Sequence, residues 1–455
     1  MKITIALFSI IFALQLHAQS NIVVGSTTVE VDTIYTGLDI PWEIIYGPDD
    51  HIWTTERRGI VSRIDPVLQT KDVILDLTST VHADAESGLL GMALHPNFPM
   101  TPEVFLAYTY YNSGIKERFV KYTYDGTDLI NPQTLIEDIT GNTTHIGARF
   151  HFMDDGTILV STGDAQNTSL PQDVGSLNGK ILRMNTDGTV PADNPMGGSY
   201  VYSYGHRNVQ GIMQAPNGVI YLSEHGASSD DEFQILEVNR NYGWPNVEGF
   251  CDAGPEATFC SANNVKEPLV VWTPTIAPSD MVFYENPEFP EFDNKVIMTV
   301  LKDKRVVAIE LDGAGTQVVD QNDYLVNVFG RLRDICVGPS NEIYLATNGP
   351  FWSNTEPFTH NIVVLRPPST ATVTNVDQSL IEIFPNPTNE LLNIRVTENL
   401  IGSEAEIFNA LGQTVSTFTI NAINEEVNTG SLNAGIYTLL IRSTNGNTVS
   451  KRFSK

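Results

Sequence analysis

A chain of 455 residues with 41% apolar and 18% charged content can fill more than one hydrophobic core, which excludes disorder of the whole. Its 26 Lys+Arg against 54 Asp+Glu give a formal charge of -28, which repels phosphate backbones and excludes nucleic acid as a partner. With 34 Gly, 25 Pro and 16 Tyr beside short Val/Ile/Thr runs, turns and strands dominate and the fold class is all-β.

Residues 1–18 read as a secretory signal, because Lys2 precedes an apolar run from Ile3 to Leu16 and Ala18 ends a small-residue cleavage site. That run is too short to cross a bilayer, and no later segment approaches the roughly 20 apolar residues a membrane helix needs. A transmembrane segment is therefore not expected. A turn-and-strand repeat follows: Gly47-Pro48-Asp49-Asp50-His51-Ile52-Trp53, Met153-Asp154-Asp155-Gly156-Thr157-Ile158-Leu159, Ala215-Pro216-Asn217-Gly218-Val219-Ile220-Tyr221 and Gly338-Pro339-Ser340-Asn341-Glu342-Ile343-Tyr344. Looser copies start at His95-Pro96-Asn97-Phe98 and Phe292-Asp293-Asn294, which makes six. A second short strand follows several of them, as in Gly59–Asp65, Lys180–Asn185, Arg305–Glu310 and Asn361–Leu365. Repeated strand, turn, strand predicts a six-bladed β-propeller over residues 21–368.

Candidate chemistry lies beside these turns. His145 sits in Thr144-His145-Ile146-Gly147-Ala148-Arg149-Phe150, and Gly163-Asp164 ends the next strand. An imidazole on a Gly-flanked loop, oriented by a carboxylate such as Asp164, can act as a general base; a solvated or structural histidine is the plainer alternative. Next come Tyr204-Gly205-His206-Arg207-Asn208-Val209-Gln210-Gly211, Ser223-Glu224-His225-Gly226-Ala227-Ser228-Ser229-Asp230-Asp231-Glu232 and Asn241-Tyr242-Gly243-Trp244-Pro245-Asn246. In so acidic a chain, Arg207 among glycines and the Asn208 amide suits bidentate recognition of a carboxylate, and glycines let backbone carbonyls approach a hard cation. Asp230, Asp231 and Glu232 read as a solvated acidic turn. Cys251 and Cys260, close in CDAGPEATFC, suit a loop disulfide on an export route, whereas Cys336 in the strand-like run Asp334–Val337 reads as a buried, inert thiol. Lys302, Arg331 and Arg333 are either site cations, with both arginines on one face of an extended run, or partners in surface salt bridges to Asp303 and Asp334. There is no HExxH, CxxC, P-loop, GxSxG elbow or EF-hand loop.

Arg366-Pro367-Pro368-Ser369-Thr370-Ala371-Thr372 opens a linker, residues 369–379, and residues 380–455 carry alternating runs separated by Asn/Gly turns, which suit a small C-terminal β-sandwich. This tail resembles the C-terminal sorting domain of the type IX secretion system through Phe384-Pro385-Asn386-Pro387, Ile407-Phe408-Asn409-Ala410-Leu411-Gly412-Gln413, Leu432-Asn433-Ala434-Gly435-Ile436-Tyr437 and the end Lys451-Arg452-Phe453-Ser454-Lys455. The resemblance implies export through the periplasm and outer membrane by that machinery, removal of the tail, and a secreted or cell-surface product.

Residues 21–368 resemble the soluble aldose dehydrogenases that use pyrroloquinoline quinone, the glucose/sorbosone dehydrogenase family. The motifs are Pro41-Trp42, Glu86-Ser87-Gly88-Leu89-Leu90-Gly91-Met92-Ala93-Leu94-His95-Pro96, Gly179-Lys180-Ile181-Leu182-Arg183-Met184-Asn185, Gly205-His206-Arg207-Asn208, Asn241–Asn246 and Trp272-Thr273-Pro274-Thr275-Ile276-Ala277-Pro278-Ser279. The resemblance implies the quinone and Ca2+ in an axial pocket, a sugar substrate and an external electron acceptor. It makes His145 the base, Asp164 its support, Arg207 and Asn208 contacts to cofactor and substrate, and Lys302, Arg331 and Arg333 the cofactor's cations. Glu86 and Trp272 fall beside the cofactor, and the carbonyls of Gly226 and Ala227 ligate calcium. Glu86 stands where well-known members carry an amide, Ala227 replaces a proline, and the Cys251 to Cys260 segment replaces longer substrate loops. A catalytically silent cell-surface propeller that binds glycan or protein is the alternative. A calcium-dependent lactonase would need carboxylates converging on the axis, and no such set is evident from the sequence.

Overall fold

In the computed structural model, which describes residues 20–252, 254–349, 360–367, 381–397, 400–409, 414–433, 435–442 and 448–455, the repeated turns close hairpins. The signal segment 1–18 and the linker 369–379 lie outside the described residues. In the four strict copies the first turn residue donates its N–H to the fifth residue's carbonyl: Gly47 to His51 (2.8 Å), Met153 to Thr157 (2.9 Å), Ala215 to Val219 (2.9 Å) and Gly338 to Glu342 (2.8 Å). The fourth residue is left-handed in each: Asp50, Gly156, Gly218 and Asn341 have φ of 57°, 82°, 85° and 63°. Only Gly, Asn and Asp visit that region cheaply, which is why the copies share those residue types.

The chain forms two compact units, Met1–Pro368 and Ser369–Lys455. Among the described residues the first holds six antiparallel sheets, and every recurring turn joins the first and second strands of one of them. The first strands are Pro41–Tyr46, Leu89–Leu94, Gly147–Phe152, Val209–Gln214, Pro278–Tyr284 and Arg331–Val337. Each packs on the next, and Arg331–Val337 packs back on Pro41–Tyr46, so the sheets radiate around an axis as a β-propeller. The chain's beginning fastens the circle, since Thr27–Tyr35 pairs with Ile362–Arg366 in the last sheet. A separate apolar cluster fills each sheet-to-sheet interface, such as Phe105 and Phe119 against Phe150 and Leu182, or Ile34 and Val364 against Ile44 and Ile64. In the second unit a three-stranded and a four-stranded sheet share one core that includes Leu392 and Ile394 from the first and Ile407, Leu439 and Phe453 from the second.

Cys251 and Cys260 form a disulfide with Cα atoms 6.2 Å apart. It ties Cys251 to Cys260 inside Gly254–Asn263, the single helix among the described residues, which buries none of its side chains fully. Cys336 is half-buried, packed beside the Ile44 and Tyr344 cluster, and burial pushes its thiol well up. No helix among the described residues is long and apolar enough to cross a membrane.

All six inner strands bulge at one height along the axis, and there the sequence expectation fails. Three carboxylates, Glu43, Asp280 and Asp334, do converge, with oxygens within 4.8 Å of one another. They come from three different sheets, so no local spacing announces them. Arg149 fills their centre: its Nη1 lies 2.6 Å from Glu43 and 2.8 Å from Asp334, and its Nε 3.4 Å from Asp280. A guanidinium thus holds the place a metal would take. Gly91 occupies the same height on its strand, where a Cβ would sit 1.9 Å from the Ala148 carbonyl oxygen.

Burial pushes Glu43 up to about 7 against the pull of Arg149, while Asp280 is raised and Asp334 is raised well above the usual range by the same cause. Because the folded state holds these protons more tightly than the unfolded chain, their contribution is complete below the unfolded value and is lost as pH rises through about 7. The melting temperature of the apo-protein is expected to fall between pH 5 and 8, and Glu43→Gln to flatten that slope, as read by calorimetry across the range.

Candidate functional site

A cavity of about 250 Å³ opens where the inner strands begin, lined by Trp42, Glu86, Leu90, Ile146, Gly147, Gln210, His225, Ala277, Leu301, Lys302, Arg331 and Arg333. Its floor adjoins the axial cluster: the Trp42 indole lies between the guanidinium of Arg149, 4.3 Å from the ring centroid, and that of Arg333, 5.7 Å away.

One wall carries the cations. Arg333 is 4% exposed, donates 2.9 Å to Gln210 Oε1, and burial beside Arg331 and Arg149 pushes it down to about 9. Arg331 is likewise lowered by burial. Lys302 Nζ donates 2.7 Å to Thr275 Oγ1. Among the described residues none of the three has a carboxylate ion-pair partner. Asp303 instead pairs with Arg305 at 3.6 Å and Asp334 with Arg149 at 2.8 Å, so the salt bridges proposed from sequence neighbours do not form. A bulge after Leu332 lets Arg331 and Arg333 both reach the cavity while Leu332 enters the core. Arg333 is buried and Arg331 half-buried, and such cations without counter-ions are costly; with the exposed Lys302 they mark a surface built for an anionic ligand.

The histidine stands beside the cavity, next to its lining residues Glu86, Ile146 and Gly147; His145, Asp164, Arg207 and Asn208 are not themselves part of that lining. His145 has a left-handed backbone (φ 59°), and its N–H donates 2.9 Å to Glu86 Oε2. Gly163 permits the close crossing behind it, since a Cβ there would sit 1.9 Å from the His145 carbonyl oxygen. Nδ1 of His145 lies 2.8 Å from Asp164 Oδ1, and Nε2 lies 3.1 Å from Arg207 Nη2. A guanidinium can only donate, so Nε2 is the acceptor and Nδ1 carries the proton toward Asp164. Asp164, 1% exposed, is raised by desolvation but held below the usual carboxylate range overall by hydrogen bonds from His145, the Gln166 N–H and the Trp244 indole. The His145 side chain stays 17% exposed, so a ligand hydroxyl can reach it. Asn208 is buried beside this histidine; its Oδ1 accepts from the Gly147 N–H at 3.2 Å, while its Nδ2 has no hydrogen-bond partner among the described residues.

The segment 226–232 differs from the solvated turn expected. Asp231 is 1% exposed, accepts from Gly226 N–H at 2.7 Å and from Ile276 and Ala277 N–H at 2.6 Å each, and is raised by burial. Glu232 accepts from the Gly249 N–H at 2.9 Å and is pushed well up by burial and by Glu224. Asp231 ties the half-buried Gly226 to the loop that carries Ile276 and Ala277; Ala227 itself is exposed. Trp272 is also misplaced by the sequence reading. On its edge strand it points inward, buried in the cluster of Phe233, Ile276 and Met281, and is absent from the cavity wall. The aromatic side chains at the site are Trp42 and Trp244, both within quoted motifs but without assigned roles.

The chain matches the family described as Glucose / Sorbosone dehydrogenase over residues 38–351, and the Secretion system C-terminal sorting domain over residues 382–455. It is similar to an uncharacterised protein of Synechocystis, 32% identical over 346 residues that cover 69% of this chain and 83% of the relative. It is 29% identical to an aldose sugar dehydrogenase of Escherichia coli over 341 residues, 70% of this chain and 90% of that one. Among solved structures it is similar to the PQQ-bound aldose sugar dehydrogenase of Streptomyces coelicolor, with TM-score 0.65 and 30% identity, covering 74% of this chain and 97% of that one.

Proposed function

This chain belongs to the glucose/sorbosone dehydrogenase family and ends in a type IX sorting domain, and from that premise we propose that it is an exported quinoprotein that oxidises an aldose at its anomeric carbon. On this reading the six radiating sheets are the blades of a six-bladed propeller, the tail is a small sandwich that addresses the chain to the outer-membrane machinery, and an external acceptor reoxidises the enzyme. The observation that carries it is the set of three cations without carboxylate partners, Lys302, Arg331 and Arg333, facing one cavity in a chain of charge -28.

The donor set fits pyrroloquinoline quinone. A planar tricarboxylate supplies the anions that Arg331, Arg333 and Lys302 lack and an acceptor for the orphaned Nδ2 of Asn208, and the Trp42 face offers a flat apolar floor. Glu86 would then face the cofactor edge, and Trp272 would act only through packing. The carbonyls of Gly226 and Ala227 are hard oxygen donors of the kind Ca2+ takes, whereas the centre of the axial carboxylates is already occupied by the Arg149 guanidinium. When bound, the quinone with its calcium supplies a hydride-accepting carbonyl.

The chain's own residues supply the proton chemistry. His145 Nε2 takes the proton of the anomeric hydroxyl as the C1 hydride leaves, which yields the lactone. Asp164 holds Nδ1–H and stabilises the imidazolium that forms. Arg207, which donates to Nε2 in this structure, turns to the developing negative charge on the substrate side once the hydroxyl takes its place.

Reconstitution tests the reading: purified apo-protein is titrated with pyrroloquinoline quinone and Ca2+, then assayed for dye reduction with a panel of aldoses. Saturable binding and turnover with at least one aldose support it; neither binding nor turnover would leave the silent surface propeller. Removing calcium with a chelator should abolish turnover and its return should restore it. Arg333→Met separates function from stability. Losing a charge-assisted contact worth about 1.5–3 kcal/mol weakens cofactor binding roughly 10- to 100-fold, while the apo-protein melts higher because a buried cation without a counter-ion is gone.

A further inference from the structure

The base is held by two partners, and both of them touch one tryptophan. The Trp244 indole N–H donates 2.8 Å to Asp164 Oδ2, the carboxylate oxygen that does not face His145. The same ring lies under the guanidinium of Arg207, whose Cζ is 5.3 Å from the ring centroid. Asp164 grips His145 Nδ1 at 2.8 Å and Arg207 caps Nε2 at 3.1 Å, so Trp244 stands behind both ends of the imidazole.

Trp244 is itself fixed. Its N–H donates 3.0 Å to the Gly205 carbonyl, and its carbonyl accepts from Gln172 Nε2 at 2.8 Å. Gln172 is locked in turn by a reciprocal pair of 2.9 Å hydrogen bonds with Asn241. An indole on so rigid a support sets the rotation of the Asp164 carboxylate, and Asp164, 1% exposed, has little access to water that could replace the lost donor.

We propose that Trp244 is a positioning residue that keeps His145 in the Nδ1–H tautomer, by fixing Asp164 through its indole N–H while its ring seats the Arg207 guanidinium. An Asp164 no longer held by the indole can swing off Nδ1, which lets the ring leave Arg207 Nη2 as well; an imidazole released from both partners samples the Nε2–H form, whose lone pair points away from the substrate hydroxyl. The catalytic consequence rests on the dehydrogenase reading; the tautomer does not.

The variant is Trp244→Phe, which keeps a ring for Arg207 and removes only the N–H. The first readout is the pair of 15N ring resonances of His145 in the apo-protein. The wild type is expected to show a single Nδ1–H tautomer of the neutral imidazole and the variant a mixture with Nε2–H, while the resonances of His151, whose ring partner is Gln214, stay in place and report an intact fold. In the reconstituted enzyme kcat should fall roughly 10- to 100-fold with KM within about twofold, the scale seen when a supporting contact to a functional ligand is lost. An unchanged tautomer in Trp244→Phe overturns the proposal. Should that variant fail to fold, Asp164→Asn decides instead, since the Trp244 indole proton must move upfield when its acceptor loses charge; an unmoved resonance also overturns it. Altered tautomer with no turnover by wild type on any aldose would sink the dehydrogenase reading and leave the positioning role standing.

Discussion

His145→Gln is expected to lower kcat by about 10²- to 10⁴-fold while leaving cofactor affinity within a few-fold of wild type, because it removes the proton acceptor and not the cations that bind the ligand. Glutamine keeps a group of similar reach that can still donate toward Asp164, so the fold of the 144–150 loop, already held by the His145 N–H to Glu86 bond, survives. A substrate deuterated at the anomeric carbon should show a larger isotope effect, since C–H cleavage becomes more fully rate-limiting. Asp164→Asn should cost less than His145→Gln if orientation is its main work, and the two changes together should cost little more than His145→Gln alone, as groups that act as a unit do. Wild-type turnover in His145→Gln would remove the histidine from the chemistry.

How far the site could be read from sequence depends on where each residue lies. His145, Arg207 and Asn208 sit on glycine-rich loops at strand ends, where polar residues between apolar runs stand out, and those motifs led to the cluster beside the cavity. The turn repeat was legible because one backbone conformation imposes one residue menu. Trp272 and Asp231 went astray for the opposite reason, since burial is decided by what packs from other sheets. Arg149 and its three acids were the largest miss. Glu43, Arg149 and Asp280 are each the single acid or arginine of their strand, and single charges in strands usually face solvent; Asp334 follows the charged Arg333. A signal existed all the same. Glu43, Arg149 and Asp334 each fall four residues before their turn starts, at Gly47, Met153 and Gly338, and Gly91 and Gly211 hold that same place before His95 and Ala215. Aligning the repeats exposes a column of charge and glycine directly before an apolar column of Ile44, Met92, Phe150, Ile212 and Ile335. Trp244 was in a quoted motif, but its role needed the Asp164 distance.

Arg149→Met should be the most destabilising single change in the first unit. It leaves Glu43, Asp280 and Asp334 within 4.8 Å of one another with no positive charge among them, in a site where Asp334 is fully buried and its Oδ2 accepts from the Ile44 N–H. Breaking a buried ionic cluster by removing one partner typically costs about 3–5 kcal/mol, because the remaining charges keep their desolvation penalty and lose their attraction. The carboxyls escape part of that cost by protonating. Their folded-state values rise further than in wild type, so the deficit is smaller at pH 5 than at pH 8, where ionisation is forced. Combining Arg149→Met with Glu43→Gln and Asp334→Asn should recover part of the loss at pH 8, since neutral groups of similar shape do not need the guanidinium. The floor of the cavity changes too: Trp42 loses the cation 4.3 Å from its ring, so the triple variant should fold yet bind the anionic cofactor more weakly than wild type. Calorimetry at pH 5 and pH 8 reads the first effect and cofactor titration the second. Equal melting temperatures for wild type and Arg149→Met at pH 8 would show that the axial carboxyls are protonated already and that the arginine neutralises nothing.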